Sequence, residues 1–186
     1  NGLGVKQDYI KAFELFEKVS EQGLVEGYYN LGLLYYNGLG VEKNFSKALI
    51  AFDKAKIKFF ESYYYLGVIH SQPDEVHTDF IKAEKFFQLA SDNKIHSANC
   101  SLGIIYLNGY GVQKNYDSAM KWLKLSASQG DKDAKATLNE LASKNSSDIE
   151  LPTPITLKGK AIEQIDQTKH NNNSADEAAK KANNSP

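Results

Sequence analysis

The single cysteine of the chain, Cys100, stands four residues after His96. On a helix that spacing puts both side chains on one face, where an imidazole beside a thiol favours the nucleophilic thiolate. The same pair is also the pattern of a small buried hydrophobe near a surface histidine, and a lone cysteine on an apolar helix is usually packing. A second group, His70 and His77 with Asp74, Glu75 and Asp79, holds metal-binding side-chain types, but histidines seven residues apart across a loop match no recognised ligand spacing. Lys54, Lys56 and Lys58, next to Phe59 and Phe60, form the basic cluster of the chain, and their alternation spreads them over different helix faces. The Asn-Gly-x-Gly words at 37–40 and 108–111 are helix-ending turns rather than phosphate cradles. No P-loop, dinucleotide fingerprint or serine elbow occurs, so no catalytic residue, cofactor or metal is assigned and catalysis is not expected. The glycosylation sequons at Asn44, Asn99, Asn145, Asn172 and Asn183 have meaning only in a secretory compartment, and they leave localisation unassigned.

Composition narrows the remaining classes. The chain has 186 residues with 22 basic and 23 acidic side chains, a net charge of −1, and every basic residue is lysine. Without a long-range positive field or the planar arginine fork, nucleic acid is a poor partner. One cysteine cannot form an internal disulfide. The longest apolar runs, such as Leu31 to Tyr36 and Ile104 to Leu107, fall far short of the roughly 20 residues that span a bilayer. All 11 Tyr, 9 Phe and the Trp precede position 123, so the tightly folded part precedes the end of the chain. From Ser143 to Pro186 aromatics are absent and three of the four prolines occur, which predicts a largely disordered tail with weak helical stretches at 160–167 and 174–182.

The elements that position these residues come from an internal repeat. Asn1-Gly2-Leu3-Gly4-Val5 recurs as Asn37-Gly38-Leu39-Gly40-Val41 and as Asn108-Gly109-Tyr110-Gly111-Val112. The starts lie 36 and then 71 residues apart, so a degenerate copy belongs between the last two, and Gln72-Pro73-Asp74-Glu75-Val76 fills that place. Independent columns agree: Ala12, Ala48, Ala83 and Ala119; Asp8, Asn44, Asp79 and Asn115; Leu31-Gly32, Leu66-Gly67 and Leu102-Gly103. Each unit reads as two helices. The first runs over about 25–36 in the best-preserved unit and stops at Asn-Gly, and the Asx column caps the second. The second helix carries apolar residues at helical spacing, for example Phe45, Ala48, Leu49 and Phe52, so one face is buried. Gly32, Gly67, Gly103 and the alanine column are expected to let the paired helices approach closely, and the turn holding Pro73 and Glu75 is expected to be reshaped.

Leu-Gly, then Tyr-x-Asn-Gly-x-Gly-Val, then Asp/Asn-aromatic-x-x-Ala, then Gln-Gly at 22–23 and 129–130 together resemble the Sel-one-like repeat, a relative of the tetratricopeptide repeat. The resemblance covers residues 1 to about 142. It implies an all-α, right-handed solenoid of stacked antiparallel helix pairs: a partial unit 1–23, units 24–57, 58–93 and 94–130, and a capping helix 131–142, the chain looking like a fragment of a longer array. It also implies a concave groove lined by the first helices, at Glu26, Tyr29, Asn30, Leu33 and Tyr36; at Glu61, Tyr64, Tyr65 and Val68; and at Ser97, Cys100, Ser101, Ile104 and Leu107. Asn37, Ser71, Gln72 and Asn108 extend those rows. Such a lining suits a peptide or partner helix that buries apolar side chains, with no small-molecule substrate expected. The expected function is therefore a protein-interaction adaptor. The alternatives are a hydrolase of the cysteine-rich, lactamase-like type found among relatives, whose repeat cysteine pairs this chain lacks, and a structural spacer in a longer array.

Overall fold

The computed structural model describes residues 9–73 and 77–143. The Asn1–Val5 turn, Asp8, Asp74, Glu75 and the tail with its two helical stretches lie outside them. Among the described residues there are eight α-helices and no strand, in two compact units, the first running to Ile57 and the second starting at Lys58. The first unit holds α1 (Tyr9–Glu21), α2 (Val25–Asn37) and α3 (Phe45–Ala55). The second holds α4 (Glu61–His70), α5 (Phe80–Asp92), α6 (Ser97–Asn108), α7 (Tyr116–Ser128) and α8 (Lys132–Ser143). Within each unit consecutive helices pack on one another, the fold class expected from the repeat.

The helix ends follow the repeat columns. The Oδ1 atom of Asn44 accepts from the Lys47 amide at 2.8 Å, that of Asp79 from Lys82 at 3.0 Å, and that of Asn115 from Ser118 at 2.9 Å. Each satisfies an amide that the first turn of a helix leaves unpaired. The next backbone bond is shared too: the amides of Asn44, Asp79 and Asn115 donate to Tyr35, His70 and Tyr106, which turns each second helix back along the first. Gly38 and Gly109 end α2 and α6 at φ 70° and 74°. The second glycine of each turn has a further reason. A Cβ on Gly40 would lie 2.2 Å from the Tyr9 carbonyl oxygen, and one on Gly111 2.8 Å from the Ile81 nitrogen, so each turn presses backbone to backbone on the second helix of the preceding repeat. In the degenerate unit α4 instead ends at Ser71 in right-handed geometry, and side chains close the turn: Ser71 Oγ donates to Val68 O, Thr78 Oγ1 to Gln72 O, and His70 Nδ1 meets His77 O at 3.0 Å.

The second helices bury the face the pattern predicts, with Ala48, Phe52, Ala83, Phe87, Ala119 and Leu123 wholly inside. The glycines of the first helices, on α2, α4 and α6, accommodate large side chains. A Cβ at Gly32 would sit 2.7 Å from the Phe52 ring, at Gly67 2.8 Å from the Phe87 ring, and at Gly103 2.7 Å from Leu123. A mid-helix glycine is unfavourable by about 1 kcal/mol, and burial of the opposing side chain offsets it. Backbone meets backbone at Gly27, where a Cβ would lie 2.5 Å from the Ser20 nitrogen, and at Gly103, where it would lie 3.3 Å from the Leu123 nitrogen. Aromatics fill the joints between successive repeats: Phe13 meets Tyr35 edge-on at 5.4 Å, and Phe80 stacks on Tyr110 at 4.8 Å. The Tyr106 hydroxyl donates to Glu84 Oε1 at 2.8 Å. Burial, and then that bond, raise the Tyr106 hydroxyl above its ordinary pKa.

Candidate partner-binding faces

The first helices were expected to line one groove, and the structure divides the expected residues between the core and partly exposed positions. Leu33, Tyr36, Tyr65, Val68, Cys100, Ser101, Ile104 and Leu107 are buried, Tyr65 to 2% exposure. Cys100, Ile104 and Leu107 share a core cluster with Ala119, Leu123, Ala134 and Leu141 of α7 and α8. Burial raises the Tyr36 hydroxyl above its ordinary pKa. These eight are core side chains, which corrects their placement along an open groove. The physical reason is helix packing: α1 and α3 flank α2, α5 covers α4, and α5 and α7 flank α6, so the side of each first helix that meets its neighbours is enclosed. In α6 every residue from Ala98 to Ile105, and Leu107, is buried.

Glu26, Tyr29 and Asn30 on α2, Glu61 and Tyr64 on α4, and Ser97 at the start of α6 keep partial exposure. The two tyrosines occupy equivalent positions 35 residues apart and are posed alike. Tyr29 lies edge-on to Phe52 at 6.2 Å, and Tyr64 lies 5.8 Å from Phe87, the ring that fills the glycine notch in each repeat. Tyr64 also meets Tyr65 edge-on at 5.7 Å. Such contacts fix a ring's direction before any partner arrives. Asn30 turns back on its own helix, Nδ2 donating to Glu26 O at 2.8 Å; Asn37 and Asn108 do the same to Leu33 O and Ile104 O.

Several of the side chains singled out for chemistry make contacts of other kinds among the described residues. His96, at the N-cap of α6, places Nδ1 2.8 Å from Gln129 Nε2, while Cys100 is buried and not disulfide-bonded. His70 stacks on Phe86 at 5.8 Å and Asp79 caps α5. No group of three or more His, Cys, Asp and Glu able to hold a metal occurs among the described residues. The lysine cluster disperses: Lys54 stands 4.5 Å over the Tyr28 ring, Lys56 pairs with Asp53, and Lys58 lies 5.9 Å from the Phe59 ring. No described helix is long and apolar enough to cross a membrane.

One polar feature went unseen in the sequence. Asn99, at 2% exposure, accepts from Ser91 Oγ at 2.7 Å and donates to Gln129 Oε1 at 2.8 Å. It thereby ties α5, α6 and the C-cap of α7 together, and its sequon lies inside the protein. Gln129 belongs to the Gln-Gly word, the one sequence signal that pointed to this network.

Comparison with known proteins agrees with this architecture. The family model for the Sel1 repeat matches residues 1–24, 25–55, 60–94 and 96–131. The rat protein DAP3-binding cell death enhancer 1 is 28% identical over 173 residues, covering 72% of this chain and 34% of its own length. The Arabidopsis thaliana ERAD-associated E3 ubiquitin-protein ligase component HRD3B is 35% identical over 104 residues, 55% of this chain and 16% of that protein. The chain thus spans 34% and 16% of the length of these two relatives. A protective antigen of uropathogenic Escherichia coli with an SLR fold superposes at a TM-score of 0.67 with 32% identity, over 74% of this chain and 30% of that one.

Proposed function

The chain belongs to the Sel1 repeat family, and from that premise we propose that it is a protein-interaction scaffold holding a peptide or partner helix against its first helices. Each unit offers its own contact residues: Glu26, Tyr29 and Asn30 in the first, and Glu61, Tyr64 and Ser97 in the second. The observation that carries the reading is the matched pose of Tyr29 and Tyr64, each partly exposed and each braced by the core phenylalanine of its own repeat. A rigid aromatic with a polar tip gives large contact area for little entropy, which is why tyrosine is enriched among binding hot spots. The relatives support the class: one is a binding protein of DAP3 and another a component of a ubiquitin ligase. A binding module also fits better than an enzyme, since the thiol of Cys100 serves the core and His96 is engaged by Gln129.

The test compares the whole chain with a Tyr29→Ala/Tyr64→Ala variant of equal helix content by circular dichroism. Proteins retained by the wild type are identified, then titrated against both. Loss of two anchors is expected to weaken binding by about tenfold or more. Equal affinity for the two chains, or no specific partner for the wild type, refutes the proposal and favours a spacer.

A further inference from the structure

We propose that Asn37–Gly38 and Asn108–Gly109 are latent deamidation sites that the repeat fold holds closed, so that opening of one inter-helix turn leaves a permanent covalent mark in that turn. An Asn-Gly pair is prone to this reaction because glycine has no Cβ to obstruct attack by its backbone nitrogen. The glycine nitrogen, having lost its proton to base, forms a bond to the asparagine Cγ. The Cγ–Nδ2 bond breaks, and ammonia leaves with a proton returned from solvent. Water then opens the resulting succinimide at either carbonyl, giving aspartate or isoaspartate. Water is the only co-reactant.

The folded chain keeps both reacting groups hydrogen-bonded. The Gly38 N–H donates to Leu34 O at 2.8 Å and the Gly109 N–H to Ile105 O at 2.8 Å, so neither nitrogen is presented as a nucleophile. The leaving nitrogen is engaged as well: Asn37 Nδ2 donates to Leu33 O at 2.8 Å and Asn108 Nδ2 to Ile104 O at 2.9 Å, one turn back along the helix. Each turn is closed further by the amide of Asn44 on Tyr35 O or of Asn115 on Tyr106 O. The degenerate turn carries Gln72-Pro73 in this place and has no such site. Reaction makes reclosure harder. A carboxylate replaces an amide at the negative end of the helix dipole, and the donor to the helix carbonyl is gone. At Asn108 the effect is larger, because its Oδ1 is already buried without a hydrogen-bond partner.

The whole chain is incubated folded and in urea, and peptides holding Asn37 and Asn108 are followed by mass spectrometry and by isoaspartate methylation. Asn93, which precedes Lys94, is the reference. Both sites are expected to convert in urea well ahead of Asn93 and at least about tenfold more slowly when folded, as for any group exposed only by local opening. Asn115→Ala removes the cap beside the second turn and is expected to speed Asn108 by about fivefold while leaving Asn37 unchanged; Asn44→Ala should do the reverse. Asn108→Asp is expected to lower the unfolding midpoint more than Asn37→Asp. Equal rates in folded and unfolded chain, or cap variants that speed both sites alike or neither, overturn the proposal.

Discussion

Lys94 is the one non-glycine among the described residues with a positive φ, at 66°. It stands where α5 hands over to α6, and its amide donates to Ser91 O at 2.9 Å while that of Ile95 reaches Ala90 O at 2.9 Å. Gly130 holds the same place after α7, at φ 92°, with the amides of Gly130 and Asp131 bonded to Ala127 O and Ser126 O. A Cβ on Gly130 would meet nothing within 4 Å, so backbone conformation is isolated from packing there. A left-handed backbone costs an L-residue about 1–2 kcal/mol. Glycine removes that strain but loses about 0.4–1 kcal/mol through its freer unfolded chain. Lys94→Gly should therefore stabilise by about 0.5–1 kcal/mol, and Gly130→Lys should destabilise by a similar amount. For a chain of this size that is a midpoint shift of about 1–4 °C in each direction. Lys94→Ala serves as the control, since it removes the charge but keeps the strained backbone, and its midpoint should stay close to that of the wild type. Thermal and urea unfolding followed by circular dichroism provide the assay, with an unchanged m-value as the sign that only stability moved. A Lys94→Gly chain no more stable than the wild type, or a gain matched by Lys94→Ala, would refute the argument from strain.

Gly111 makes a different demand, because at φ 66° a Cβ would also lie 2.8 Å from backbone atoms of Phe80 and Ile81. Gly111→Ala is expected to cost about 2–4 kcal/mol, against about 1 kcal/mol for Gly130→Ala, and equal losses in urea titrations would show that the turn is not wedged on α5. The Asp79 carboxylate is held below its ordinary pKa near 3.8, first by the hydrogen bond from the Lys82 backbone amide and then by the Lys82 side chain. Since the folded value is the lower one, this contribution is complete above the unfolded pKa and is lost as pH falls through the folded one. Below about pH 4 the wild type should lose stability more steeply than Asp79→Asn, whose neutral amide still caps, and parallel curves from urea titrations across pH would exclude the mechanism.

Much of this protein is local and therefore legible in its sequence. Helix ends are set by groups within a few residues of each other, so the Asx column located the starts of α3, α5 and α7, and Asn-Gly located the ends of α2 and α6. The degenerate word at 72–76 likewise announced a turn closed by other means, which His70, Ser71 and Thr78 supply. Periodicity found the buried face of each second helix because those helices have one apolar side and one polar side, as Ala48 and Phe52 against Asp53 and Lys54 show.

The same reasoning could not sort the first helices. A period gives the angle of a side chain about its own axis, but burial depends on how many neighbours surround that axis. In α6 the neighbours cover nearly every direction, so Ser101 and Cys100 are as enclosed as Leu102, and no alternation remains to read. Asn99 illustrates the limit: it is a polar residue at an interior position whose partners, Ser91 and Gln129, come from other helices. The sequence by itself determined the repeat, its register and the helix boundaries, because these rest on contacts a few residues long. Only the tertiary structure decided that Tyr65 is core while its neighbour Tyr64 keeps a partly open edge, because burial is set by packing between helices, which one helix's pattern does not encode.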